Sequence, residues 1–203
     1  MEIRNNMLIS IEVADIINGK FTVPEKVTKI GEWAFANRSN LIELDAQNVE
    51  IIDNWAFQGC ENLKKVNAPH LRKIENGVFH NCKNLKKVNA PHLREIGNAA
   101  FYNCVSLPCP NDKIRAEIYK LALKYLNEDK NHGLCYCINM ATCDIIVKYK
   151  QAICTQTYFP LFTYQNAIEK FGAIKGNEYV DWWPKEDRET RKDFLKYCYE
   201  NKK

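Results

Sequence analysis

The chain has 203 residues, of which 46% are hydrophobic, 27% charged and 11% aromatic, and it carries a net charge of +4. That composition suits one large or two small globular domains whose cores need no metal or disulfide, and it excludes a disordered or low-complexity chain. The charge is too mild to imply a nucleic-acid partner by itself.

Residues 1 to 20 place Glu2 and the polar run Arg4-Asn5-Asn6 ahead of Leu8, Ile11, Val13, Ile16 and Ile17. Neither an export signal, with a charged region followed by an apolar one, nor a membrane-spanning stretch fits this pattern. It predicts amino-terminal cap strands on a mature protein that starts at Met1 and works in the cytoplasm. The nine cysteines are odd in number, and without an export signal they are expected to be reduced.

The block Asn62-Leu63-Lys64-Lys65-Val66-Asn67-Ala68-Pro69-His70-Leu71 recurs residue for residue from Asn84 to Leu93, an offset of 22. The same offset aligns Phe35, Phe57, Phe79 and Phe101, then Ile30, Ile52, Ile74 and Ile96, then Leu41, Leu63, Leu85 and Leu107. This period falls among leucine-rich repeats, each a short strand, a turn and a helical or irregular return. One unit cannot cover its own apolar edge, so Leu63, Val66, Ala68, Leu71, Ile74, Val78 and Phe79 must be shielded by the tiers above and below. Residues 21–108 are predicted to form a short solenoid of about four tiers.

The segments Val27-Thr28-Lys29-Ile30-Gly31-Glu32-Trp33-Ala34-Phe35 and Ile52-Asp53-Asn54-Trp55-Ala56-Phe57-Gln58-Gly59-Cys60, followed by Asn62-Leu63, resemble the BspA-type leucine-rich repeat over roughly residues 21–108. The resemblance implies a curved solenoid used for adhesion or protein recognition, often at a bacterial surface.

Within each tier, L-x-x-V-x-A points Leu63, Val66 and Ala68 inward and Lys65 and Asn67 outward. Stacking then builds one outward column from Glu43, Lys65 and Lys87 and another from Asp45, Asn67 and Asn89. Between Cys60 and Glu95 eight basic residues face three acids. Two readings stay open: a docking patch for an acidic protein, a phosphorylated molecule or a nucleic-acid backbone, or one solvated Lys-Lys pair copied by duplication. The residues expected to bind a partner are Lys65, Lys87, Asn67, Asn89, Glu43, Arg72 and Arg94.

Cys60, Cys82 and Cys104 also stand 22 apart, with Arg38 in the same place one tier earlier. A metal or redox ladder would use this spacing, but small apolar side chains filling the core are the preferred reading. His70 and His92 lack a third ligand column and read as turn residues beside proline.

After Leu107-Pro108-Cys109-Pro110 the period ends, and residues 109–203 are predicted to form a small α-helical domain. One helix is expected from Asn111 or Asp112, with Ile114, Ile118, Leu121, Ala122 and Tyr125 at helical spacing, to the Asn127-Glu128-Asp129 run. A second spans Leu134 to about Lys148, a third begins at Thr163 and stops at Gly172, and a last one opens at Pro184. Cys135, Cys137, Cys143 and Cys154 lack the paired knuckles of a zinc site, and Cys135 with His132 lacks an orienting third group. Trp182, Trp183, Arg188 and Arg191 surround a helix start. They read either as an anion or base-stacking pocket or as a staple for the last helix.

The run from Ile118 through Gly133-Leu134-Cys135 to Asp181-Trp182-Trp183-Pro184 and Asp187-Arg188 resembles a small helical domain of uncharacterised bacteriophage proteins, over about residues 110–203. This resemblance brings no activity; it implies a phage or prophage protein in a bacterial cytoplasm.

The fold class expected is therefore α+β, a leucine-rich-repeat solenoid followed by a small helical domain. No phosphate-binding loop, zinc-protease helix or nucleophile elbow occurs, so no catalytic residue, metal or cofactor is assigned. The function expected is non-enzymatic binding of a macromolecule by the repeat face, a phage-encoded protein acting on a host component being the extension that the second resemblance implies. The alternative is an anionic ligand, nucleotide or nucleic acid, held by the basic tiers and the Trp182/Arg188 region. No membrane association is expected.

Overall fold

A computed structural model describes residues 1–108, 112–128, 134–153, 192–193, 195–196 and 200. It divides into two compact units, residues 1–109 with 146–155, and residues 110–145 with 156–203.

The first unit is the expected solenoid with its 22-residue period. Its strands are β1 (Glu2–Arg4), β2 (Met7–Ser10), β3 (Lys20–Thr22), β4 (Lys29–Ile30), β5 (Glu43–Asp45), β6 (Ile51–Ile52), β7 (Lys65–Asn67), β8 (Lys73–Ile74), β9 (Lys87–Asn89) and β10 (Glu95–Ile96). Each tier contributes two strands, not the single strand expected. One sheet is four-stranded, in the order β3-β5-β7-β9; the other is six-stranded, β1-β2-β4-β6-β8-β10. All pairings are parallel except the β1-β2 hairpin. Strands as short as Lys73–Ile74 hold no alternation to read, so the second sheet left only the column Ile30, Ile52, Ile74 and Ile96 in the sequence, without a strand pattern around it.

The return between the second strand and the next tier is a run of turns, and these too are bonded tier to tier. Phe35 N–H donates to Ala56 C=O at 2.8 Å, Phe57 to Val78 at 2.9 Å and Phe79 to Ala100 at 2.8 Å. The backbone of an irregular segment is thereby satisfied while buried. Two left-handed residues per tier bend the chain: Trp33, Trp55, Gly77 and Ala99 at φ 59°, 58°, 61° and 54°, then Asn37, Gly59, Asn81 and Asn103 at φ 58°, 68°, 62° and 57°. Asparagine and glycine at the second set are the residues that tolerate this region best.

Phe35, Phe57, Phe79 and Phe101 form the core column, with ring centroids 4.6, 5.4 and 5.4 Å apart, and Phe21 closes its amino-terminal end edge-on at 5.1 Å. Ile30, Ile52 and Ile74 with Leu41, Leu63 and Leu85 are fully buried around it. The β1-β2 hairpin covers the first edge of the six-stranded sheet, Leu8 pairing with Ile30, which removes an edge open to aggregation. Arg38 Nη2 ties the following segment to the first tier by donating to Ile11 C=O at 2.8 Å.

In the second unit, α1 (Asp112–Glu128) buries Ile114, Ile118, Ala122 and Leu126, four residues apart and hence on one face. Helix α2 (Leu134–Tyr149) buries Cys137, Ile138, Ala141 and Ile145 within this unit, and Tyr125 Oη of α1 donates to Asp144 Oδ2 of α2. The stretch Ile146–Thr155 belongs to the solenoid unit, where Lys150 Nζ donates to Leu93 C=O. The helix expected from Thr163 lies outside the described residues, as does the start of the one expected at Pro184, of which residues 192–193, 195–196 and 200 are helical.

Candidate interaction face

The four-stranded sheet builds the face. Its register sets Lys20, Glu43, Lys65 and Lys87 in one column and Thr22, Asp45, Asn67 and Asn89 in a second, while Phe21, Leu44, Val66 and Val88 alternate inward between them. Lys20 extends the first column by one tier. It lies 23 residues before Glu43, not 22, which hid it from the repeat alignment.

Three residues of the first column are paired, Lys20 and Lys65 each with Glu43. Glu43 lies 3.3 Å from both Lys20 and Lys65, and the hydrogen bond from Lys20, then that from Lys65, hold its carboxyl below the ordinary range. The second column is a ladder: Asn89 Nδ2 donates to Asn67 Oδ1 at 2.8 Å, and Asn67 Nδ2 to Asp45 Oδ1 at 2.9 Å. A row of fixed amides and charges at strand spacing suits recognition of another protein's surface.

Much of the basic patch is neutralised between tiers. Arg72 lies 3.9 Å from Glu50, Lys73 2.8 Å from Glu75 and 3.5 Å from Glu95, and Lys83 2.8 Å from Glu61. Among the described residues Lys64, Lys86, Lys87 and Arg94 make no ion pair. Arg72 and Arg94 immediately precede β8 and β10 of the six-stranded sheet, so they do not join the columns of Lys65, Lys87, Asn67 and Asn89. Trp182, Trp183, Arg188 and Arg191 lie outside the described residues.

Cys60, Cys82 and Cys104 are core residues, fully buried, each thiol donating to the carbonyl of a phenylalanine in the preceding tier at 3.0, 3.1 and 3.0 Å. Burial pushes the Cys60 thiol up to about 12 and that of Cys82 well above its ordinary value, so neither supplies thiolate near neutral pH. His70 Nδ1 meets Gln47 C=O at 2.6 Å, the turn role expected of it. No group of three or more potential metal ligands occurs among the described residues.

The return segments also carry an aromatic ladder that crosses repeat positions and so gives no continuous signal at a constant 22-residue offset. Trp33 stacks on Trp55 at 5.7 Å, Trp55 meets His80 edge-on at 5.5 Å, and His80 stacks on Tyr102 at 4.9 Å. The ladder switches repeat position between Trp55 and His80, because Gly77, where an aromatic would otherwise stand, leaves room for the Trp55 ring. Burial holds the His80 imidazole below its ordinary value and so favours its neutral form.

These features define a parallel leucine-rich-repeat solenoid. The chain belongs to the BspA type leucine rich repeat region family, matched over residues 16–119 as six copies. It is similar to solved leucine-rich repeat proteins from Bacteroides ovatus (26% identity, TM-score 0.41) and Eubacterium ventriosum (29%, 0.41), and to a T. pallidum leucine rich repeat protein (21%, 0.39). Each likeness covers 45% of this chain; they cover 24%, 26% and 57% of those chains respectively, so this chain spans only part of their lengths. No curated protein matches it. Among the described residues no helix is long and apolar enough to cross a membrane.

Proposed function

We propose that the chain is a non-enzymatic interaction protein that engages a protein partner through the exposed face of β3-β5-β7-β9, with Lys65, Lys87, Asn67, Asn89 and Glu43 as contacts. The observation that carries this reading is the register-matched pair of columns on a sheet whose backbone is bonded tier to tier. A rigid face loses little conformational entropy on binding. The family supports a protein-interaction role. Arg72 and Arg94 are peripheral contributors, set on the neighbouring sheet.

Pairing of Lys65 with Glu43, and of Lys73 and Lys83 with their own acids, favours a protein over a polyphosphate, which would find those cations occupied. A cytoplasmic setting is part of the reading and is supported by the buried free thiols Cys60, Cys82, Cys104, Cys137 and Cys143. A phage origin is not part of it: the family match ends at residue 119, and the resemblance of residues 110–203 stands without support.

The test is affinity capture from bacterial lysate at low and moderate salt, comparing the wild type, a Lys65→Glu/Lys87→Glu variant and a Lys113→Glu control on α1. A protein retained at moderate salt by the wild type and the control, and depleted at least about tenfold by the column variant, is expected. Capture of nucleotide or nucleic acid that falls steeply with salt would replace this reading with the anionic-ligand alternative.

A further inference from the structure

Among the described residues, the four-stranded sheet ends on an open strand edge. Within the stack, Ile42 C=O accepts from Lys64 N–H at 2.8 Å and Lys64 C=O from Lys86 N–H at 2.9 Å. In the same way Ala46 N–H donates to Asn67 C=O at 2.8 Å and Ala68 N–H to Asn89 C=O at 2.9 Å. The equivalents in the last tier, Lys86 C=O and Ala90 N–H, have no such partner among the described residues. By the alternation of a parallel ladder, the Val88 N–H and C=O face the same way. The Val88 side chain is only half-buried, whereas Leu44 and Val66 in the same column are each 2% exposed.

Beside this edge lies a groove of about 360 Å³, lined by Lys86, Lys87, Ala90, Pro91, Lys150 and Gln151 among others, with three lysines and no carboxylate in its wall. Lys150 follows the end of α2 in a left-handed conformation, φ 54°, and its ammonium is fixed by the bond to Leu93 C=O. All of these residues belong to the solenoid unit.

We propose that this edge accepts an extended acidic segment of a protein partner as an added strand. Two observations select that occupant. The edge offers donors and acceptors in alternation, which a peptide backbone satisfies and a phosphate chain, having no donors, does not. The wall offers only positive charge, so carboxylates on the incoming strand meet Lys86, Lys87 and Lys150. A second copy of the chain fits less well, since edge-to-edge pairing would oppose these lysines to their own equivalents. The site shares Lys87 with the first outward column, but Lys86 and Lys150 belong to the edge alone.

The probe is a short fluorescein-labelled peptide of alternating glutamate and valine, titrated with the full chain and followed by fluorescence anisotropy. Two companions are titrated alongside it: the same peptide with alternate amides N-methylated, and a lysine-valine peptide. The glutamate peptide is expected to bind, and both companions to bind at least about tenfold more weakly. A folded Lys86→Glu/Lys150→Glu variant should lose the glutamate peptide by a similar factor, while Lys65→Glu retains it; this separates failure of the edge from failure of the column face. Because the peptide comparison uses the wild type alone, it stands even if the double variant does not fold. Absence of binding, or equal binding of the N-methylated peptide, overturns the proposal. So does concentration-dependent self-association that Lys86→Glu abolishes, which would assign the edge to a second copy.

Discussion

Phe57→Ala is expected to lower the unfolding free energy by about 3–5 kcal/mol, measured by urea denaturation, the range for truncating a fully buried aromatic side chain. The Phe57 ring is completely buried and stacks on both sides, 4.6 Å from Phe35 and 5.4 Å from Phe79. The backbone around it is held by inter-tier hydrogen bonds, which limits how far the tier can collapse into the hole. The lesion also cuts a one-dimensional stack, in which each tier is stabilised only by the next. A broader transition with a lower slope in denaturant should therefore accompany the loss, as the tiers on either side begin to unfold separately. Phe101→Ala, at the last tier with Phe79 as its phenylalanine neighbour, should cost less. A loss below about 1 kcal/mol at Phe57 would mean that the phenylalanine column does not carry the core.

The second large effect is expected at Gly77. Its φ of 61° is shared by side-chain-bearing residues at the same repeat position, Trp33, Trp55 and Ala99, so the backbone there accepts a Cβ. What it does not accept is the space: a Cβ on Gly77 would stand 2.2 Å from Trp55 Cε3. Gly77→Val adds a β-branched side chain in the left-handed region to that collision, and a loss of about 2–4 kcal/mol is expected. Gly77→Ala separates the two causes. In the wild type it should cost more than in a Trp55→Ala background, where only the backbone preference remains, with a coupling of about 1 kcal/mol or more in a double-mutant cycle. Equal costs in the two backgrounds would show that Trp55 does not lean over Gly77.

The solenoid was legible because its evidence is repetition itself. Four phenylalanines at one offset and a ten-residue block copied intact leave little choice of register or period. The inward and outward assignment of Lys65, Val66 and Asn67 followed from alternation along a strand, and the structure places them so. The cysteine column was legible for the same reason, since a small side chain at a fixed place in each tier is what a filled core needs.

What failed to show depends on contacts that no single repeat position encodes. Two-residue strands such as β6 and β8 have no pattern to detect. The grouping of Arg72 and Arg94 with Lys65 and Lys87 rested on charge and spacing, and the second sheet separates them. Pairing of Lys65 with Glu43 and of Lys83 with Glu61 crosses from one tier to the next, where a count of charges along the chain registers only an excess. The aromatic ladder changes position at Gly77, so an alignment at constant offset sees Trp33 over Trp55 and Gly77, never over His80 and Tyr102. The open end beside β9 is walled by Lys150 and Gln151, some sixty residues further along the sequence.

The claim on which the rest depends is that the exposed face consists of register-matched columns, and engineered disulfides test it directly. Asn67→Cys combined with Asn89→Cys places two thiols on neighbouring parallel strands, about 4.8 Å apart at Cα, within the range a disulfide spans. Asn67→Cys combined with Lys87→Cys places them on the diagonal, at about 8 Å, beyond that range. Under mild oxidation, with the native buried thiols out of reach, the account predicts that the first pair cross-links in the folded chain and the second does not. Cross-linking of the diagonal pair with the first left reduced would contradict the register, and with it the face that the columns form.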